Sequence, residues 1–145
     1  MGILSHVPTL RSDRPLREAV ETLQEVDVPA LPVEDASGRF FGIFGEREFI
    51  EAIFPGYLKE LRSAGFVPHS LDAAIKRRSG CLEEPVGRFA NREPIEVTEG
   101  FSDAELAGTF LHHRVLIVPV LDAERRVIGV ITRRTFFDIV SARMP

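Results

Sequence analysis

A chain of 145 residues with 44% hydrophobic and 28% charged side chains has the size and composition of one globular body. Its formal net charge of −4 argues against a broad nucleic-acid surface, and no apolar run approaches the roughly 18 residues that a membrane span needs. A single cysteine, Cys81, excludes an internal disulfide. The start "MGILSHVPTL" has neither the basic opening nor the apolar stretch of a signal peptide, and His6 stands where myristoylation of Gly2 would want Ser or Thr. A cytoplasmic protein with no nucleic-acid and no membrane partner is the expectation.

In chain order, Thr9-Leu10 reads as a short extended piece, and Leu16, Ala19, Val20 and Leu23 then fall on one helical face. Two strands, Ala30 to Val33 and Phe40 to Phe44, flank the turn "EDASG", and a helix from about Glu46 to Phe54 follows. Residues 54 to 93 are too long for a structureless loop. Tyr57, Leu58 and Leu61 can share one helical face and Leu71, Ala74 and Ile75 another, so two helices are predicted, either covering the core or offering a partner surface. The order then repeats. Ile95-Glu96-Val97 is extended, Ser102 with Glu105 reads as a capping box stapled by Phe101 and Leu106, strands Val115 to Val120 and Val127 to Ile131 flank "LDAER", and a helix runs from about Arg133 to Ala142.

A shift of 87 residues (119 − 32) lays Pro32 on Pro119 without a gap, and with it Glu18 on Glu105, Val28 on Val115, Asp35 on Asp122, Arg39 on Arg126, Gly42 on Gly129 and Phe49 on Phe136. Each half is therefore β-α-β-β-α, an α/β (α+β) unit. Its small sheet has helices on one face and needs a partner for the other, which the second copy supplies. Pro32 and Pro119 lie inside apolar strands, where a missing N–H is tolerated only at an edge or a bulge.

The stretches "LPVEDASGRFFGIF" and "VPVLDAERRVIGVIT", each after an amphipathic helix, resemble the cystathionine-β-synthase (CBS) domain, present as a tandem pair or Bateman-type module. "EPVGRFANREPIEV", Glu84 to Val97, is similar to the segment that leads into such a repeat. The resemblance divides the chain into a first repeat at 1–53, a helical insertion at 54–84 and a second repeat at 85–145, packed about a pseudo-twofold axis with two clefts. It implies a regulatory module rather than an enzyme, sensing an adenosine-containing ligand, AMP-like, with no obligatory cofactor. It also implies a homodimer, and an unidentified protein target because no output domain is attached. The alternative is a ligand-independent interaction module with degenerate sites. An enzyme finds no support in a nucleophile–base set, metal-ligand spacing or phosphate loop.

The family pattern places Gly, then Ser or Thr three positions on, then Asp three beyond. In the second repeat Gly129 and Thr132 match and Thr135 replaces Asp; in the first Gly42 matches, Gly45 replaces the hydroxyl and Glu48 replaces Asp. The resemblance thus assigns phosphate contacts to Thr132, at a helix N-terminus beside Arg133, and a ribose acceptor to Glu48. Ala30 and Ile117 stand where relatives that bind charge carry a basic residue, which favours a monophosphate or nucleoside over di- and triphosphates. Plain structural roles compete with each assignment: helix capping for Thr132, dipole compensation for Glu48 and close packing for Gly42 and Gly129. His112 and His113, adjacent in sequence, point apart and lack further ligands, Lys76-Arg77-Arg78 reads as a solvated face, and Cys81 as an inert thiol.

Overall fold

The computed structural model describes residues 2–55 and 70–145. Its elements come in the order β1 (Leu10–Arg11), α1 (Leu16–Gln24), β2 (Ala30–Glu34), β3 (Phe40–Gly45), α2 (Glu46–Ile53), α3 (Leu71–Arg78), β4 (Val97–Thr98), α4 (Asp103–His112), β5 (Ile117–Leu121), β6 (Val127–Thr132) and α5 (Arg133–Ala142). Two three-stranded sheets result, ordered β1-β2-β3 and β4-β5-β6, each with one parallel and one antiparallel pair. This is the α+β architecture expected of two β-α-β-β-α repeats.

The repeat extends to the register. Leu10 pairs with Val33 as Val97 pairs with Val120, Ala30 with Gly45 as Ile117 with Thr132, and both antiparallel pairs slip after Val33 and after Val120. Local chemistry explains the matching hairpins. The Asp35 carboxylate accepts from the amides of Ser37 and Arg39, and that of Asp122 from those of Glu124 and Arg126, so each turn is closed by an Asx side chain. Pro32 and Pro119 sit in the central strands, in the part that β1 and β4 do not reach: β1 pairs only with Val33 and Glu34, and β4 with Val120 and Leu121. The missing N–H groups are thereby tolerated.

Each sheet packs its helices over a core whose positions also recur at 87 residues: Leu10 and Val97, Ala19 and Leu106, Leu31 and Val118, Val33 and Val120, Phe44 and Ile131. Phe40, Ile117, Leu121 and Val130 are buried outside those clusters. The two repeats are also joined by the Phe40 amide, which donates to the Arg125 carbonyl at 2.8 Å.

The lead-in segments are exchanged between repeats. Ser5 exchanges backbone hydrogen bonds with Val130 of the second repeat (2.7 and 3.0 Å), and Asn91 with Ile43 of the first (3.0 and 2.8 Å). Glycine permits the approach: a Cβ at Gly42 would collide with the Asn91 carbonyl, and one at Gly129 would stand 3.1 Å from the Ser5 carbonyl.

Two expectations need amending. In α3 Ala74 alone of the expected apolar face is buried, while Leu71 and Ile75 are 63% and 45% exposed. The helix is anchored by Ala74 and by Arg78, whose Nε donates to the Ala52 carbonyl at 3.0 Å, and it is followed by a 3-10 turn that buries Cys81. The helix expected around Tyr57, Leu58 and Leu61 lies outside the described residues. The capping box at α4 is half made: Ser102 Oγ accepts from the Glu105 amide at 3.0 Å, while the reciprocal bond from the Ser102 amide to Glu105 does not form.

Candidate functional site

The exchanged lead-ins build two clefts between the repeats, and the 87-residue shift maps one onto the other. The larger, about 810 Å³, is walled by Ser5, Val7, Val28, Pro29 and Leu116, with Asp27 on one side and Thr132, Arg133, Arg134, Thr135 and Phe137 from the start of α5 on the other. The smaller, about 240 Å³, sets Arg114 and Val115 against Glu46, Arg47 and Glu48 at the start of α2, with Ala30, Ile117 and Glu93 nearby. Asp27 corresponds to Arg114, Arg133 to Glu46 and Thr135 to Glu48. The charge is therefore reversed between the clefts at the Asp27/Arg114 and Arg133/Glu46 positions, while Arg134 and its counterpart Arg47 keep the same sign.

At the start of α5, Thr132 is the N-cap. Its Oγ1 accepts from the Thr135 amide at 3.0 Å and donates to Thr135 Oγ1 at 2.8 Å, and the Arg133 amide donates to the Leu116 carbonyl at 2.9 Å. Among the described residues this leaves the Arg134 amide and the Thr135 hydroxyl proton as uncommitted donors of the first turn. Arg134 itself is engaged, Nε with Asp138 at 3.1 Å and its guanidinium over the Phe137 ring. The Arg133 guanidinium makes no ion pair among the described residues and is exposed.

At the start of α2 the N-cap is Gly45, and a Cβ there would collide with Ala30 Cβ and the Pro29 carbonyl. No hydroxyl-bearing residue fits. Glu48 replaces it from the other end, its Oε1 accepting from the Gly45 amide at 2.9 Å. Each repeat thus keeps one half of a capping box: Thr132 the N-cap hydroxyl, Glu48 the carboxylate three residues on. Burial raises the Glu48 carboxyl above the ordinary range, opposed by its hydrogen bonds to its own amide and to that of Gly45. Burial likewise pushes up the Cys81 thiol, which disfavours the reactive thiolate.

Of the residues singled out in the sequence, Thr132, Arg133 and Thr135 come together in the larger cleft, and Glu48, Ala30 and Ile117 in the smaller. Gly42, Gly45 and Gly129 shape the strands and line neither cleft. Sequence reasoning missed Asp27 and its counterpart Arg114. The signal was present, because a charged residue stands three positions before Ala30 and before Ile117 in both copies. Among the described residues no group of His, Cys, Asp and Glu is placed to hold a metal ion, and no helix is long and apolar enough to cross a membrane.

The family model for the CBS domain matches residues 3–55 and 86–142. The chain belongs to the CBS domain family. No curated protein matches the sequence, but solved CBS structures align over nearly its whole length. A conserved hypothetical protein from Geobacillus kaustophilus has 19% identity and a TM-score of 0.74, over 98% of this chain and 95% of its own. A CBS domain-containing protein from Kribbella flavida has 24% identity and a TM-score of 0.68, over 96% and 95%. CBSX2, solved in complex with AMP, has 20% identity and a TM-score of 0.68, over 94% and 88%. At these identities the likeness establishes the tandem CBS fold.

Proposed function

We propose that this CBS pair is a regulatory module holding one AMP-like ligand per chain, in the larger cleft. The observation that carries the reading is the pairing, in that cleft, of an apolar wall with uncommitted phosphate donors. An adenine can lie against Val28, Pro29 and Leu116 while a phosphate meets the Arg133 guanidinium, the Arg134 amide and the Thr135 hydroxyl. The smaller cleft adjoins, at Arg47, Glu48 and Asn91, a further hollow of about 490 Å³, so its weakness as a phosphate site is one of charge: a phosphate at the start of α2 would meet Glu46 and Glu48 beside Arg47, where α5 offers Arg133 and Thr135 beside Arg134. The AMP in the structurally similar CBSX2 supports the ligand class.

The output surface is a second copy of the chain. Ile50 and Phe137 occupy equivalent positions on α2 and α5 and are 59% and 57% exposed, with Val140 beside Phe137. Phe136 does not share that face, being half-buried and stacked on Phe110 at 5.6 Å. Ligand-linked changes of about 1–3 kcal/mol at this surface would suffice for regulation of a partner protein.

A thermal-shift screen of adenosine, AMP, ADP, ATP, NAD and S-adenosylmethionine tests the ligand, with AMP giving the largest shift, and light scattering tests the dimer. Absence of any shift at millimolar concentration would favour the second reading, a ligand-independent interaction module. One observation speaks for that reading: Thr132 and Glu48 are both engaged in capping their own helices.

A further inference from the structure

Resting on the assignment of an AMP-like ligand to the larger cleft, we infer that Asp27, a residue of the first repeat, reads the ribose hydroxyls while the second repeat holds the phosphate. A ribose diol is a pair of donors in need of an acceptor, and one ionised carboxylate can take both. The pattern's usual position for that acid is occupied by Thr135, whose Oγ1 accepts from Thr132. Among the described residues lining the larger cleft, Asp27 is the one carboxylate. It makes no hydrogen bond or ion pair among the described residues, and it is exposed.

Its placement fits the role. Asp27 lies on the segment between α1 and β2, whereas Arg133 and Thr135 open α5 of the other repeat. Diol and phosphate are then gripped by different repeats, and the ligand joins them. The charge inversion at the equivalent position, Arg114, denies the smaller cleft the same acceptor. Asp27 is thus a specificity residue for ribose over sugars lacking hydroxyls.

Calorimetry on the full chain with AMP and 2′,3′-dideoxy-AMP tests this, using the wild type, Asp27→Asn and Asp27→Glu. The wild type is expected to prefer AMP by about tenfold, the scale of a hydrogen bond to a charged group. In Asp27→Asn, AMP should weaken to the level of the dideoxy nucleotide, whose own affinity holds or rises, so that the ratio falls to about one; Asp27→Glu should restore part of it. An unchanged ratio in Asp27→Asn overturns the role of Asp27 and leaves the AMP site standing. No AMP binding by the wild type overturns both.

Discussion

The starts of α2 and α5 occupy the same place in the same fold, 87 residues apart, and solve the same problem in opposite ways. A helix N-terminus leaves amides to be satisfied. At α5 the Thr132 hydroxyl reaches forward to the Thr135 amide; at α2 the Glu48 carboxylate reaches back to the Gly45 amide. With Gly45 at φ −151°, ψ −164°, Ala30 and the Pro29 carbonyl leave no room for a side chain there, whereas Thr132, at φ −86°, ψ 149°, is accommodated opposite the larger Ile117. The two helix starts also differ in charge. The start of α2 presents the carboxylates of Glu46 and Glu48 where that of α5 presents the Thr135 hydroxyl and an Arg133 guanidinium that makes no ion pair among the described residues, so the two clefts offer a ligand different charge at equivalent positions.

The strongest way to break this comparison is to make α2 resemble α5. Gly45→Thr should destabilise the protein by roughly 2–3 kcal/mol, the scale of overpacking a buried site, read as a lower urea midpoint. If the variant is as stable as the wild type, the steric reason given for the asymmetry fails. Thr132→Ala should cost about 1 kcal/mol through loss of the cap and should also weaken AMP. Thr135→Val sharpens the distinction, because the Thr135 amide keeps its bond to Thr132 while the Thr135 hydroxyl is lost, both as a donor for phosphate and as the acceptor of the Thr132 hydroxyl. Stability should fall by no more than about 1 kcal/mol while AMP affinity falls severalfold in calorimetry.

Glu48→Gln isolates the opposite solution. The folded carboxyl of Glu48 lies above its unfolded value near 4.3, so the folded state binds the proton more tightly. The stability contributed by its protonated form is present below that value and is lost as pH rises through the folded one. Thermal scans from pH 4 to 7 should show the wild type losing stability relative to Glu48→Gln as pH rises. A difference of the opposite sign would contradict the burial argument. The smallest effect belongs to the hairpin tips. There Arg125 adopts φ +63° where the first repeat has Gly38 at φ +81°. Arg125→Gly should relieve the left-handed backbone cost but lose the ion pair with Glu96, for a net gain of about 0.5 kcal/mol, seen as a slightly raised Tm.

Much of the fold was legible because its causes are local. Short apolar runs on either side of a turn marked the four long strands, and the Asp35 and Asp122 turns closed them where the sequence placed them. The α3 helix was found from its periodicity, but periodicity does not say which residues have a neighbour, and Leu71 and Ile75 remain exposed. The clefts were less legible because they depend on non-local pairing. Nothing within Ser5 or Asn91 announces that each will cross to the other repeat's sheet. The motif residues led correctly to the helix starts, yet the crowding of Gly45 by Pro29 and Ala30 comes from the neighbouring strand and is not written in the motif. The charge of Asp27 acquires meaning only once Thr132 and Thr135 are seen across the same cleft.

The central claim is that the two clefts are unequal, and the stoichiometry of AMP binding tests it most directly. Calorimetric titration of the intact chain should give one AMP per chain, with affinity sharply reduced by Arg133→Glu, which gives the α5 start the charge found at Glu46. Two equivalent sites per chain, or one site indifferent to Arg133→Glu, would contradict the account.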